Sequence, residues 1–255
     1  MDRMIYTALT GMDAAMNRQK AVANNLANAS TPGFRGEVFA VTPATLKNPS
    51  LEARALARGL VRGADMATSR VTQTGQPLDL AVQGTALIAF QSPEGGAQGA
   101  EIYSRRGDLR VAASGVLENG EGLPVLGISG GPITVPQGFA ISVAEDGTVL
   151  ASDPAAPNVA AQVIDQIKLV SPEGSRLLKG IDSFLKVMGA DGEGGVLPPD
   201  PTARVTSGAL EDSNVETAET LVDMIDAQRA FEQRAKIIRT ARDLDEAGSR
   251  LMSLR

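Results

Sequence analysis

The sequence predicts a mixed α and β chain in which long N- and C-terminal helices form a coiled-coil-like layer and a central, mainly antiparallel β domain lies between them. Three observations carry this prediction. Of 27 glycines, 21 fall between Gly75 and Gly208, whereas residues 1–28 hold only Gly11 and residues 213–255 only Gly248. Glycine is costly inside a helix and at home in tight turns. Apolar residues recur at helical spacing in both glycine-poor ends, and short apolar runs alternate with turn signals in the middle. The expected organisation is an N-terminal helix and its stop over 1–33, a connector over 34–74, a β-rich domain over 75–208 and a C-terminal helix over 209–255.

In the first helix Ile5, Leu9, Met12, Met16, Gln19, Ala23 and Leu26 step by 4, 3, 4, 3, 4 and 3, a heptad seam. Pro32-Gly33 stops it. The seam is rich in Met and Ala rather than Leu, and a helix so furnished needs partners for stability. The connector is strand-like near Val38–Val41, and its Ala-, Arg- and Leu-rich stretch Leu51–Leu60 is expected to be a short helix.

In the middle zone, Leu78–Val82 and Ala86–Phe90 flank Gln83-Gly84, and Glu101–Tyr103 and Leu109–Val111 flank Arg106-Gly107-Asp108. Ala140–Val143 and Thr148–Leu150 flank Asp146-Gly147, a hairpin signal. Ile133–Val135, Val163–Val170 and Phe184–Val187 are further expected strands. Ser213 with Glu216 three residues on is a capping box that starts the last helix. Its expected apolar stripe is Leu221, Ile225, Gln228, Phe231, Ala235, Ile238, Ala241, Leu244 and Leu251. Seven acids against Arg229 in 211–232, then six basic residues against three acids in 233–255, complement the helix dipole.

Composition narrows the function. The chain has 255 residues, a net charge of −6 and no Cys, His or Trp. The acidic balance argues against nucleic acid as a partner, because phosphate contacts need clustered Lys and Arg. Without Cys or His there is no disulfide framework, no thiolate or imidazole catalysis and no Cys- or His-based metal site. The longest apolar runs, such as Ala86–Phe90, are far below the ~18 residues of a membrane helix. Residues 1–28 are interrupted by Asp2, Arg3, Asp13, Arg18 and Lys20, unlike a cleavable signal peptide. No dinucleotide, phosphate-loop, metalloprotease or EF-hand motif is present. Asp191–Gly195 faintly suggests a cation site and is better taken as a turn, and Arg105-Arg106 is too small for a basic patch. A catalytic pair of carboxylates needs only two residues, and nothing among the 30 Asp and Glu singles a pair out. No catalytic residue, cofactor, metal, small-molecule ligand or membrane insertion is expected.

Three segments go further. Ala23-Asn24-Asn25-Leu26-Ala27-Asn28-Ala29-Ser30-Thr31-Pro32-Gly33-Phe34-Arg35 resembles the N-terminal signature A-N-N-L-A-N-x-x-T-x-G-[FY] of the bacterial flagellar rod and hook axial proteins, matched at Asn24, Asn25, Leu26, Ala27, Asn28, Thr31, Gly33 and Phe34. Gln73–Gly84 resembles that family's T-G-x-P-L-D-L-A-I-x-G segment. Ser207–Val215 resembles its G-x-L-E-x-S-N-V run into the C-terminal helix, at Gly208, Leu210, Glu211, Ser213, Asn214 and Val215. Met1–Ala8, Gly130–Pro136, Ile141–Thr148, Phe231-Glu232 and Lys236–Ile238 are most similar to proximal-rod members. Thr85–Phe90 departs from the family's aromatic-rich G-D-G-[FW]-[FL]-V run, and Tyr103-Ser104-Arg105-Arg106-Gly107 from Y-T-R-x-G.

The resemblance implies a structural subunit that polymerises as a helical tube, linking motor to distal rod and hook and transmitting torque. Its implied partners are copies of itself, other proximal and distal rod proteins and the flagellar export apparatus, and its implied place is the periplasmic rod of the basal body. Ile5, Leu9, Met12, Met16 and Leu26 would face Leu221, Ile225, Phe231 and Ile238 and neighbouring subunits. Asn24, Asn25 and Asn28 would pair across helices or cap the helix break. The helical ends would be poorly ordered in a free monomer and fold on assembly. A distal-rod or hook-type subunit is the near alternative, and a secreted carboxylate-based hydrolase the distant one.

Overall fold

The computed structural model describes residues 2–48, 51–93, 101–156, 159–175, 177–180, 184–188 and 194–253, with side chains described for these except 2–6, 43–58, 60–62, 188, 194, 245, 248, 249 and 251–253. In chain order the elements are α1 (Asp2–Ala27), β1 (Glu37–Asn48), β2 (Leu51–Ala64), β3 (Val71–Gln73), β4 (Leu80–Val82), β5 (Leu87–Gln91), β6 (Glu101–Ser104), β7 (Leu109–Val111), β8 (Leu117–Asn119), β9 (Ala140–Val143), β10 (Thr148–Ser152), β11 (Gln162–Gln166), β12 (Leu169–Val170), β13 (Leu177–Lys179), β14 (Leu185–Met188), β15 (Gly194–Gly195), β16 (Val205–Ser207), β17 (Ala209–Glu211) and α2 (Thr217–Ser253). Two long terminal helices and a central antiparallel β region make the chain mixed α and β. The chain divides into two compact units, one of residues 1–27, 37–63 and 216–255, the other of 28–36 and 64–215.

The helical unit packs α1 on α2 and on β1, and β1 pairs with β2. The Leu51–Leu60 stretch is therefore a strand and not the expected short helix. Helix propensity is a weak prior, and here backbone pairing with β1 overrides it. The packing seam also differs from the expected one. On α1, Ala14, Ala15, Ala21 and Val22 are buried, while Leu9 is 43% and Met16 40% exposed. On α2, Thr220, Ala227 and Ala241 are buried, with Met224, Phe231 and Ile238 half-buried between them. Leu221 is 48% and Ile225 52% exposed. Small residues let the helix axes come close, so the inward face is the one with Ala and Gly, and the bulkier stripe stays outside. Ala14 illustrates this: a Cβ placed on Gly59 of β2 would lie 2.9 Å from its Cβ.

The last helix starts at Thr217, four residues past the expected cap at Ser213. The Ser213 hydroxyl instead accepts the Val215 amide at 3.2 Å, and its carbonyl accepts the Ser69 hydroxyl at 2.8 Å. Residues 213–215 are thus tied to the β unit before the helix begins. The first helical bond is Thr220 N–H to the Glu216 carbonyl, 2.9 Å.

In the β unit the largest sheet runs β12-β5-β6-β14-β13, with β15 on β14. A second sheet runs β11-β10-β9, and β16–β4, β17–β3 and β7–β8 pair separately, all antiparallel. The Asp146-Gly147 hairpin forms as expected: Val149 pairs with Val143, Gly147 takes φ 84°, and Asp146 Oδ1 accepts the Thr148 amide at 3.0 Å. Ile141, Val143, Val149 and Ala151 alternate inward, the pattern of a sheet buried on one face. β5 shows no alternation because both its faces are covered. Ile88 and Phe90 belong to one buried cluster, Leu87 and Ala89 to another. The single strand expected over Val163–Val170 is two: β11 in the smaller sheet and β12 in the larger, as the buried residues Ile167 and Lys168 carry the chain from one to the other.

Candidate functional site

The first signature falls on the end of α1 and the turn after it. Leu26 and Ala27 complete the helix. The Asn25 amide brackets the start of β1: its oxygen accepts the Glu37 N–H at 2.7 Å and its nitrogen donates to the Glu37 carbonyl at 3.2 Å. Asn24 donates to the Glu37 carboxylate. These two asparagines therefore bind the returning strand of their own chain, an arrangement neither of the expected alternatives contained. Asn28 does cap the break, with its carbonyl accepting the Thr31 amide at 3.0 Å and its side-chain oxygen the Thr31 hydroxyl at 3.2 Å.

In the β unit the three signature segments meet on one carboxylate. Glu211 of β17 accepts Arg35 at 2.7 Å on Oε1 and Arg105 at 2.6 Å on Oε2, with all three side chains about 1–2% exposed. The Ser69 amide adds 2.9 Å to Oε1. Arg35 follows the first signature, Glu211 lies in the third, and Arg105 donates to the carbonyls of Val82, Gly84 and Ala86 at and beyond the end of the second. Burial pushes the Glu211 carboxyl up, but the Ser69 amide and the two guanidiniums outweigh it and hold it below the ordinary glutamate value. Burial draws Arg105 below its ordinary value, and Glu211 opposes that.

The backbone around this carboxylate is equally constrained. Gly33 has φ 66° and donates to the Glu211 carbonyl at 2.7 Å, and a Cβ there would sit 2.3 Å from the Arg105 carbonyl. Only glycine fits both the left-handed backbone and that approach. Phe34 is buried under the Lys179 ammonium, 3.6 Å from the ring centroid. Asn214 takes the Gly36 amide at 2.7 Å and donates to Asp65 at 2.9 Å and Ala67 at 3.3 Å. Gly208, at φ 77°, accepts Thr74 and Gly75 amides at 2.9 and 3.0 Å, and Leu210 pairs with Thr72.

Arg35, Arg105, Glu37, Ser69 and Lys179 are the residues that sequence reasoning left off the site. Arg105 carried a signal, as the arginine of the Tyr103–Gly107 motif; Ser69 and Lys179 carried none, because their roles come from strands far apart in sequence. Among the predicted packing residues, Leu9, Met16, Leu221 and Ile225 stand exposed, Met12, Leu26, Phe231 and Ile238 half-buried, and Ile5 lies on the backbone of α1 with its side chain outside the described residues. Val215 donates to Ser213. Most of Asp191–Gly195 lies outside the described residues, and among those described no group of His, Cys, Asp or Glu is placed to hold a metal ion. No helix, among the described residues, is long and apolar enough to cross a membrane.

The Glu211 carboxylate locks chain segments of the β unit together, and the helices of the other unit keep several bulky apolar groups outside, an arrangement that suits a structural subunit. Comparison with known proteins makes this specific. Residues 5–35 match the family of flagella basal body rod proteins, 81–151 the D1 domain of flagellar hook protein FlgE/F/G, and 206–251 the C-terminal region of flagellar basal body rod FlgEFG proteins. The chain is 38% identical over 256 residues to flagellar basal-body rod protein FlgF of Salmonella typhimurium and likewise to that of Escherichia coli, each covered completely, as this chain is. It is 28% identical over 282 residues to flagellar basal-body rod protein FlgG of Bacillus subtilis, again with both chains covered completely. The chain belongs to the flagellar basal-body rod protein family, and its function is that of a structural rod subunit.

Proposed function

We propose that this chain polymerises with copies of itself and with other rod proteins in the proximal part of the rod, forming a helical tube in the periplasm that joins the motor to the distal rod and hook and transmits torque. The observation that carries this reading is the exposed apolar face of the helical unit. On α2, Leu221, Val222 and Ile225 are each about half exposed or more, on the side away from Thr220 and Ala227, and Ile237 and Leu244 are half exposed further along. Leu9 and Met16 do the same on α1. Such a stripe calls for helices of neighbouring subunits in a coiled-coil-like layer. Head-to-tail contacts of this kind give a filament when they do not close. Placement in the proximal rod draws support from the 38% identity to the FlgF proteins of S. typhimurium and E. coli. Catalysis has no role in this reading. Export through the flagellar apparatus, with helical ends that order on assembly, belongs to this reading.

Imaging basal bodies from a strain lacking the gene, with a swimming assay alongside, tests this. A rod that stops short, with neither distal rod nor hook, is the expected result. A normal rod in swimming cells would overturn it, and a rod truncated only at its far end would favour a distal-rod or hook-type subunit, the reading that the hook D1 match also permits.

A further inference from the structure

Leu221, Val222 and Ile225 give α2 an outward apolar face, each side chain about half exposed or more. Such a face supplies adhesion but no register, because apolar contact is non-directional. The charges around it supply the register. Residues 216–228 hold Glu216, Glu219, Asp223 and Asp226 and no base, and residues 233–242 hold Arg234, Lys236, Arg239 and Arg242 and no acid, with Arg229 and Glu232 between the blocks. Glu216, Glu219, Asp226, Lys236, Arg239 and Arg242 are exposed. Among the described residues none of these six side chains forms an ion pair, and the pairs made by the two helices are Arg18–Asp223 and Arg250–Glu246.

The helix dipole does not account for these blocks, because its influence fades within the first and last turns. Asp226 lies more than two turns into α2, and Arg242 about three turns short of Ser253. Two copies of α2 packed parallel and in register would set acid against acid and base against base, which opposes association. Antiparallel packing would match both blocks at once and close a dimer, ending growth. Displaced parallel packing matches the acidic block of one copy with the basic block of the next and leaves the outer blocks open for further copies. Glu219 and Lys236 are 17 residues apart and Asp226 and Arg242 are 16 apart, so the displacement is about 25 Å along the helix. Each exposed pair contributes little by itself, so the charges select the register while the apolar face supplies the adhesion.

We propose that the outward face of α2 is covered by α2 of a second copy of this chain, displaced head-to-tail so that its basic block lies on the acidic block. This rests on the assembly reading above and names its register. The test uses the purified full chain, which has no cysteine of its own. Val222→Cys and Thr240→Cys stand about 27 Å apart on one helix, beyond the reach of an intrachain disulfide. Oxidising a mixture of the two single-cysteine chains is expected to give several-fold more dimer than either alone. The chain with both cysteines should give a ladder of trimers and larger species, weaker by roughly tenfold in about 0.5 M than in about 0.02 M sodium chloride, where screening is slight. Glu219→Lys with Asp226→Lys should remove the ladder, and adding Lys236→Glu with Arg242→Glu should restore it. Monomer alone, a dimer band that never lengthens, a mixture no better than its components, or a ladder indifferent to salt and to charge reversal would overturn the stagger. The gene-deletion result stays separate: a short rod there without a ladder here retires the stagger and keeps the rod subunit, whereas a normal rod there retires both.

Discussion

The helical unit and the β unit solve the problem of burial differently. In the β unit the fully buried side chains are large: Tyr103, Phe90, Leu80, Leu87, Ile88 and Ile102. In the helical unit no apolar side chain larger than valine is buried among the described residues, and the bulky ones are half-buried or exposed. Buried polar groups follow the same division. The β unit holds Arg35–Glu211–Arg105 and a second closed set in which Lys168 donates to both Glu101 oxygens and Tyr103 donates to Glu101 while accepting the Leu197 amide at 2.8 Å. The helical unit's ion pairs lie at the surface: Arg18–Asp223 at 3.2 Å is 43% and 49% exposed, and Arg250–Glu246 at 2.6 Å is 76% and 54% exposed. One unit completes its core within a single chain. The other leaves apolar side chains exposed, the face that the proposed assembly would cover.

The largest effect that would break this comparison is expected at Glu211. Glu211→Ala leaves two buried guanidiniums uncompensated and should cost about 3–5 kcal/mol by urea unfolding. A loss under about 1 kcal/mol would show that the junction does not anchor the β unit. Next comes Leu117→Ala, at a fully buried position, with an expected cost of about 2–5 kcal/mol.

Acid should act on the same junction. The Glu211 carboxyl lies below its ordinary value in the folded chain, so its contribution is fully present above the unfolded value and is lost as the pH falls through the folded one. Urea midpoints taken on descending pH should therefore fall in the acidic range, and the fall should be shallower in Glu211→Gln. Identical slopes would remove Glu211 from the account.

The helical unit should respond weakly. Arg18→Ala is expected to cost about 0.2–1 kcal/mol. Smallest of all, Leu221→Asp with Ile225→Asp should leave the free chain's stability within about 0.5 kcal/mol, because both side chains are about half exposed and pack on no buried neighbour of their size. Yet the same pair should abolish rod assembly and swimming. A double variant that destabilises the monomer strongly, or one that still swims, would erase the distinction between the two units.

How much was legible beforehand follows the range of the interactions. The terminal helices and the Asp146-Gly147 hairpin are local, set by i to i+4 spacing and by two-residue turn chemistry, and they were read correctly. Leu51–Leu60 was misread because a strand with good helix formers is decided by its pairing partner. The helix faces are settled by a related effect. Heptad patterns point to the largest apolar residues, but within one chain the close helix contact selects alanine, and Leu9, Met16, Leu221 and Ile225 stay exposed.

The sequence by itself determined the terminal helices, the β character of the middle and the family, because these rest on local pattern and on contiguous motifs. Tertiary structure alone decided which helix face turns inward. It also decided that Asn24 and Asn25 grip Glu37, and that Arg35, Arg105 and Ser69 converge on Glu211. Those partners lie 12 to 176 residues apart, and no local periodicity carries information across such distances.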